Sequence, residues 1–150
     1  MTLNTRFQQA IATIGFLGYL PHAPGTFGTA AAFLLILALK PGNFELFIIF
    51  LPVFLLGVLT SHTAEKKLGK DSGHIVIDEF SGYLPAVLFV PKSAGYLLAA
   101  FVLFRIIDIV KPPPIRKMER LISGGAGIML DDIVAAVYAN LLIQLWRLFF

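Results

Sequence analysis

Gly124-Gly125-Ala126-Gly127-Ile128-Met129-Leu130-Asp131-Asp132 runs directly into the apolar segment Ile133–Phe150, and this stretch decides how the remainder is read. Two adjacent carboxylates at the mouth of a hydrophobic helix are costly. Each would lose roughly 2.5–3.5 kcal/mol at mid-bilayer depth on insertion scales, and side by side they repel. A divalent cation is the simplest neutralising partner. The glycines before them allow the backbone to approach a ligand closely or to offer N–H groups to an anion. A metal and a phosphate are the first expectation.

The composition agrees with a membrane setting. Apolar residues make up 57 % and charged residues 14 % of 150 residues, far from the balance of a water-soluble domain of that length. The absence of cysteine excludes a disulfide scaffold, a thiolate zinc site and a cysteine nucleophile. The net charge of +3 is spread through loops with no basic run able to track a nucleic-acid backbone, so no nucleic-acid partner is expected. The N-terminus lacks the charged head, apolar core and small-residue site of a secretory signal. Residues 1–150 read as one domain, and the sequence specifies no oligomeric state.

Along the chain, Met1–Ala12 reads as polar to mildly amphipathic. Ile14–Thr29 is punctuated by Gly15, Gly18, Pro21, Pro24, Gly25 and Gly28, which predicts loop and turn, with Thr26 as N-cap of an apolar helix over Ala30–Leu39. Lys40–Asn43 is a turn. Phe44–Thr60 is apolar with Pro52 as an expected kink, and Ser61–Lys70 is a polar, helix-compatible piece. Asp71-Ser72-Gly73 breaks the chain. An apolar pair follows, Tyr83–Val90 and Ala94–Val110, the second ending before Pro112–Pro114. Ile115–Ser123 is short and amphipathic.

Most of these runs are shorter than the ~20 residues of a perpendicular span. The expected fold is therefore all-α, a polytopic membrane bundle of short, tilted or re-entrant helices. Basic residues concentrate in Ser61–Lys70 and Arg105–Arg120, which orients those segments to the cytoplasm; Trp146 and Arg147 fit an anchor and a snorkelling side chain on the other face. Asp78, Glu79, Asp108, Asp131 and Asp132 then share one depth, that of a lipid headgroup.

Magnesium takes oxygen ligands, commonly a few carboxylates plus substrate phosphate. Arg105, Asp108 and Lys111, spaced i, i+3, i+6, share one helix side, so that two cations could neutralise a phosphate while Asp108 reaches a metal. His62 could protonate a leaving alkoxide or orient a carboxylate. Each has a plainer reading: Arg105 and Lys111 as snorkelling side chains, Asp108 as an ion-pair partner, His62 as a surface residue, the glycines as a helix end and tight loop.

Five blocks in order resemble the phosphatidylglycerophosphatase A family: Pro24-Gly25-Thr26-Phe27-Gly28-Thr29; His62-Thr63-Ala64; Ile75-Val76-Ile77-Asp78-Glu79 with Gly82; Phe104-Arg105-Ile106-Ile107-Asp108 with Lys111-Pro112; and the glycine–aspartate stretch. The resemblance spans roughly Ile14 to Ala139. It implies an all-α fold with a central helix surrounded by others, and magnesium-dependent removal of the terminal phosphate of phosphatidylglycerophosphate in the bacterial cytoplasmic (inner) membrane. It implies Asp78, Glu79, Asp131 and Asp132 as metal ligands and catalytic groups, with Asp108 and His62 close by. Arg105, Lys111, Gly25, Thr26 and Thr29 become substrate contacts. The chain departs from the pattern at Thr29 (usually serine), Glu119 (usually aspartate) and Ala136 (frequently glycine). Two competitors stand beside this reading. Asp71-Ser72-Gly73-His74 is similar to a block of type 2 phosphatidic acid phosphatases, but the second histidine that class needs is missing after His74. A small ion or metal transporter would carry its charges near the bilayer midplane, usually on paired repeats, and no repeat is visible.

Overall fold

The computed structural model describes residues 3–69 and 72–149, apart from the side chains of Leu3 and Glu119. Asp71 and the Glu119 side chain, assigned above to a turn and to a departure from the family pattern, lie outside the described residues. The described chain contains helices and no strand: α1 Leu3–Ala12, a 3-10 turn Leu17–Tyr19, α2 Pro24–Leu39, α3 Asn43–Leu68, α4 Ile77–Ala86, α5 Ala94–Val110, α6 Ile115–Leu121 and α7 Gly125–Phe149.

The short α4 is the central helix. It packs against α7, α2, α3 and α5, while α1 lies on α3 and α6 on α7. Its Tyr83 and Leu84 are fully enclosed with Ile36, Leu97 and Phe104. The Tyr83 hydroxyl donates to the Leu97 carbonyl at 2.7 Å, so this polar atom carried into the core is satisfied. Small residues let α7 approach α4: Ala135, Ala136 and Ala139 are all buried in the core.

Four boundaries differ from expectation. The element expected over Tyr83–Val90 is α4, Ile77–Ala86, with Asp78 and Glu79 already in its first turn. α2 starts at Pro24, so Thr26 lies in its first turn and is not the N-cap; that position belongs to Ala23. The reason is proline at the helix start, where its missing N–H costs nothing and its fixed φ suits the first turn. The apolar Phe44–Thr60 and polar Ser61–Lys70 pieces are one helix, α3, which continues through Pro52 and stops at Gly69 with φ 95°. Side-chain polarity changes there because the environment does, while the backbone meets no stop signal. Finally, the glycine stretch is helical from Gly125. A Cβ on Gly125 would lie 2.0 Å from the Val58 carbonyl oxygen, so this glycine exists to seat α7 on α3 rather than to cradle a ligand.

At the end away from the carboxylates, the turn between α4 and α5 is tied by side chains from three directions. Asn140 Nδ2 donates to the carbonyls of Pro85, Ala86 and Leu88, and Asn43 Oδ1 accepts from the Phe89 N–H at 2.7 Å. Lys92 Nζ donates to Val87 and Val90 carbonyls, and its burial lowers its pKa. Arg147, expected to snorkel, instead donates to the Phe89 carbonyl at 2.7 Å; Trp146 is exposed.

α3 and α7 are long and apolar enough to cross a membrane, with mean hydropathy of 2.3 and 1.7 over their best windows. Only 22 % of the most apolar stretch of α3 is buried. Phe44, Phe47, Ile48, Leu51, Leu55 and Leu59 face outward along it, which a core helix of a water-soluble protein would not do.

Candidate metal centre

Four elements meet at the other end of the bundle. Asp78 and Glu79 occupy the first turn of α4. Their entry is fixed by the preceding loop, where the Val76 N–H donates to the Ala12 carbonyl at 3.0 Å and the ring of His74 stacks on Tyr19 with Nδ1 2.8 Å from the Gly18 carbonyl oxygen. Asp108 lies in the last turn of α5, Asp131 and Asp132 in the second turn of α7. All five carboxylates line one cavity of about 280 Å³, together with Lys111, Glu65, Ser72, Ser123 and Gly124.

Within that wall the groups divide. Asp78, Glu79 and Asp132 each offer an oxygen lying within 4.8 Å of the other two. Asp78 Oδ1, Glu79 Oε2 and Asp132 Oδ2 are buried without a hydrogen-bond partner. Buried carboxylate oxygens left unsatisfied are costly, and three converging ones form an oxygen-only donor set of the kind magnesium takes. Asp131 turns elsewhere: its Oδ2 lies 3.4 Å from Lys111 Nζ. Neighbours on a helix diverge by about 100°, so one aspartate meets α4 and the other meets the end of α5. Of the four carboxylates expected as ligands, three converge and the fourth, Asp131, is paired with Lys111.

Asp78 and Glu79 sit on a helix too short to cross a bilayer. Burial pushes the Asp78 carboxyl well above the usual range, and the charges of Glu79 and Asp132 push it further. Burial also raises Glu79, opposed by its hydrogen bond with Asp78 and by the Arg105 guanidinium. The cluster must therefore take up protons or a cation.

Arg105 turns inward. Its Nη1 donates to Asp108 Oδ2 at 2.7 Å and lies 3.5 Å from Glu79 Oε1. It neither snorkels nor lines the cavity, in contrast to its expected role as a phosphate contact. Lys111 does line it, just past the end of α5 in a left-handed conformation (φ 47°). Gly25 lies behind Glu79: a Cβ there would be 1.9 Å from Glu79 Oε1 and 3.1 Å from Arg105 Nη2. Gly25 is a buttress rather than a substrate contact.

Three other expected residues are not brought to the cavity. Thr29 is fully buried and donates its hydroxyl to the Gly25 carbonyl at 3.0 Å. Thr26 is half-buried on α2 and absent from the cavity wall. His62 is exposed and absent from the cavity wall, though its ring lies beside Gly124, which does line it. Sequence reading missed Glu65, one turn further along α3, which does line the cavity. The available signal was the i, i+4 step from the buried Ser61, legible once Ser61–Lys70 is read as a continuation of α3.

Fold and site together define an all-helical bundle with a buried carboxylate cluster and a lysine on the wall of one terminal cavity. A family model described as phosphatidylglycerophosphatase A matches residues 10–147. A Haemophilus influenzae protein named phosphatidylglycerophosphatase A is 40 % identical over 146 residues, covering 92 % of this chain and 90 % of its own length. An Escherichia coli protein of the same name is 39 % identical over 132 residues, covering 85 % and 76 %. A Bacteroides thetaiotaomicron protein carrying the provisional name phosphatidylinositol-3-phosphatase is 39 % identical over 139 residues, covering 87 % of each. No solved structure matches the chain. The chain belongs to the phosphatidylglycerophosphatase A family, and is a phosphatase.

Proposed function

We propose that this phosphatase hydrolyses the terminal phosphomonoester of phosphatidylglycerophosphate with magnesium, in the bacterial cytoplasmic membrane, its carboxylate end facing the cytoplasm. The observation carrying the metal is the convergence of unpartnered oxygens on Asp78, Glu79 and Asp132. Orientation follows from charge. Lys66, Lys67, Lys111, Arg116, Lys117 and Arg120 stand at the carboxylate end, against Lys40, Lys92 and Arg147 at the other. Substrate class follows from the family name and from a bilayer-facing apolar surface that would admit a lipid laterally.

Bound by Asp78, Glu79 and Asp132, magnesium would supply a Lewis acid for the phosphoryl oxygens and acidify a bound water. Lys111, on the cavity wall, would take the charge of a phosphate oxygen, leaving Asp131 to hold the ammonium in position. Arg105 holds Asp108 and Glu79 in place and offsets part of their mutual repulsion. Water adds to phosphorus, the bond from phosphorus to the glycerol oxygen breaks, and that oxygen gains the proton that makes it the headgroup hydroxyl. A carrier role fits poorly, since the buried carboxylates on α4, α5 and α7 gather at one end and do not run along the bundle axis.

Phosphate release from phosphatidylglycerophosphate by the purified full-length chain, with magnesium and with chelator, is the direct test. Phosphatidylinositol 3-phosphate and phosphatidic acid run alongside. Release that persists in chelator would remove the metal; a higher kcat/KM for the inositide would reassign the substrate.

A further inference from the structure

The carboxylate cavity has two openings of opposite character. Gly73 and Ser123, both exposed and both on its wall, give it a polar mouth between the loops that precede α4 and α7. Ile109, in the last turn of α5, also belongs to the wall and is 70 % exposed. Among the described residues of that wall it is the one apolar side chain so open to the outside. Further along α5, Ile106, Val102 and Leu98 are exposed in turn. Steps of three and four residues put all four on one face of the helix. From Leu98 to Ile109 the helix rises about 16 Å, close to the roughly 15 Å of hydrocarbon in one leaflet. Lys111 stands on the cavity wall just where this stripe ends. An apolar track one leaflet long, leading to a cation at the edge of a polar cavity, matches an acyl chain below and a phosphate above. The outward residues of α3, such as Leu51 and Leu55, are as apolar, but none of them lines the cavity.

We propose that the exposed face of α5 is the lipid's way in. The substrate's acyl chain lies along Leu98, Val102 and Ile106, and its phosphorylated headgroup passes Ile109 into the cavity. Water enters, and inorganic phosphate leaves, through the mouth at Gly73 and Ser123. The inference rests on the reading of the chain as a membrane phosphatase acting on phosphatidylglycerophosphate. Lipid tails are as apolar as this face, so the contact itself adds little affinity. What the stripe supplies is a route that leaves the tails in hydrocarbon while the phosphate reaches Lys111 and the carboxylates. The two openings also part the products, returning the diacyl lipid to the bilayer and the phosphate to water.

The chain contains no cysteine, so a single introduced thiol can be blocked selectively. Full-length Ile106→Cys, Ile109→Cys and, as control, Leu51→Cys are treated in mixed micelles with a bulky methanethiosulfonate that a reductant later removes. Phosphate release is followed from dioleoyl phosphatidylglycerophosphate and from its deacylated, water-soluble headgroup. Blocking Ile106→Cys lowers kcat/KM for the lipid by at least about tenfold, while the deacylated compound loses far less and reductant restores the lipid rate. Ile109→Cys, at the opening itself, loses the lipid rate in the same way. Blocked Leu51→Cys keeps both rates. Undiminished lipid turnover in both blocked α5 variants would overturn the proposal and leave the phosphatase reading standing. Equal loss for the two substrates in blocked Ile106→Cys would reduce the effect to a structural one and also overturn it. Lipid turnover lost on blocking Leu51→Cys would move the entry to α3, and near-complete disulfide dimers of Ile106→Cys would give the face to a second copy; either result sinks the route along α5. A wild type that cleaves the deacylated compound and never the lipid would refute the lipid-phosphatase reading itself, and the route with it.

Discussion

Gly25→Ala separates the stability of the fold from the geometry of the centre. The new methyl would start 1.9 Å from Glu79 Oε1 and 2.8 Å from Glu79 Cδ, with Arg105 Nη2 at 3.1 Å. The obstructing atoms belong to the end of a flexible side chain, so Glu79 yields and α2 stays. Clearing the contact takes a shift of about 1 Å, and a displacement of that size in a catalytic array costs about 100-fold in rate. Glu79 would move away from Asp78 and Asp132, with which it shares the 4.8 Å cluster.

The fold should scarcely register the change. Alanine is favoured over glycine in a helix by roughly 0.5–1 kcal/mol, which offsets a loosened Arg105–Glu79 pair. Expected, then, are a kcat lower by about two orders of magnitude, a higher magnesium requirement and an almost unchanged melting temperature. Phosphate release across a magnesium titration, with a thermal melt of the same preparation, reads all three. Gly28→Ala is the contrast: its methyl would lie 2.7 Å from the backbone oxygen of Val76, which cannot swing aside, so stability falls by about 1–3 kcal/mol. A Gly25→Ala enzyme with normal kcat and normal magnesium dependence would refute the assignment of Glu79 to the centre.

Asp132→Asn should abolish phosphate release, by at least about 1000-fold, without loss of fold, because it removes one of three crowded buried charges; near-normal turnover at saturating magnesium counts against the centre. Asp131→Asn should instead raise KM more than it lowers kcat, since it weakens the pairing that holds the Lys111 ammonium 3.4 Å away; equal effects of the two asparagines on kcat would mean they share one role. In chelator, stability should fall as pH rises. Folded Asp78 keeps its proton above the ordinary carboxylate range, where the unfolded chain has lost its own, so folding is penalised from that range up through the raised folded value. If magnesium substitutes for the proton, its stabilisation should be larger at about pH 8 than at about pH 5 in thermal melts; a pH-independent increment argues against binding at Asp78. Gly125→Ala, with its methyl 2.0 Å from the Val58 oxygen, should destabilise by about 1–3 kcal/mol or fail to fold, whereas an unchanged melt would mean α7 does not seat on α3 as described.

The all-α class was legible because every apolar run is bounded by proline, glycine or charge, and helix ends at Lys40 and Lys111 fall beside Pro41 and Pro112. What misled was polarity taken for a boundary. At Thr60–Ser61 the side chains become polar while the hydrogen-bonded backbone runs on to Leu68, so Glu65, on the same helix, was left out of the cavity wall. Glu65 lines the cavity, whereas His62, three positions earlier, is exposed and only neighbours the cavity-lining Gly124.

Glycine was the other source of error, for a physical reason. The same letter serves a residue needing a left-handed backbone, as at Gly124 with φ 75°, and a residue needing no Cβ inside a regular helix, as at Gly125 and Gly25. Only spatial neighbours separate these cases: the Val58 carbonyl for Gly125, the Glu79 carboxylate for Gly25. The acidic residues were more legible because charge limits their options. A buried carboxylate must find a cation, a donor or a proton, so their common depth could be inferred before their partners were known. The division between Asp131 and Asp132 depends on the helix running unbroken through both. Once α7 is seen to begin at Gly125, the 100° step assigns one aspartate to the cluster with α4 and the other to Lys111, so the double acid joins two separate sets of neighbours.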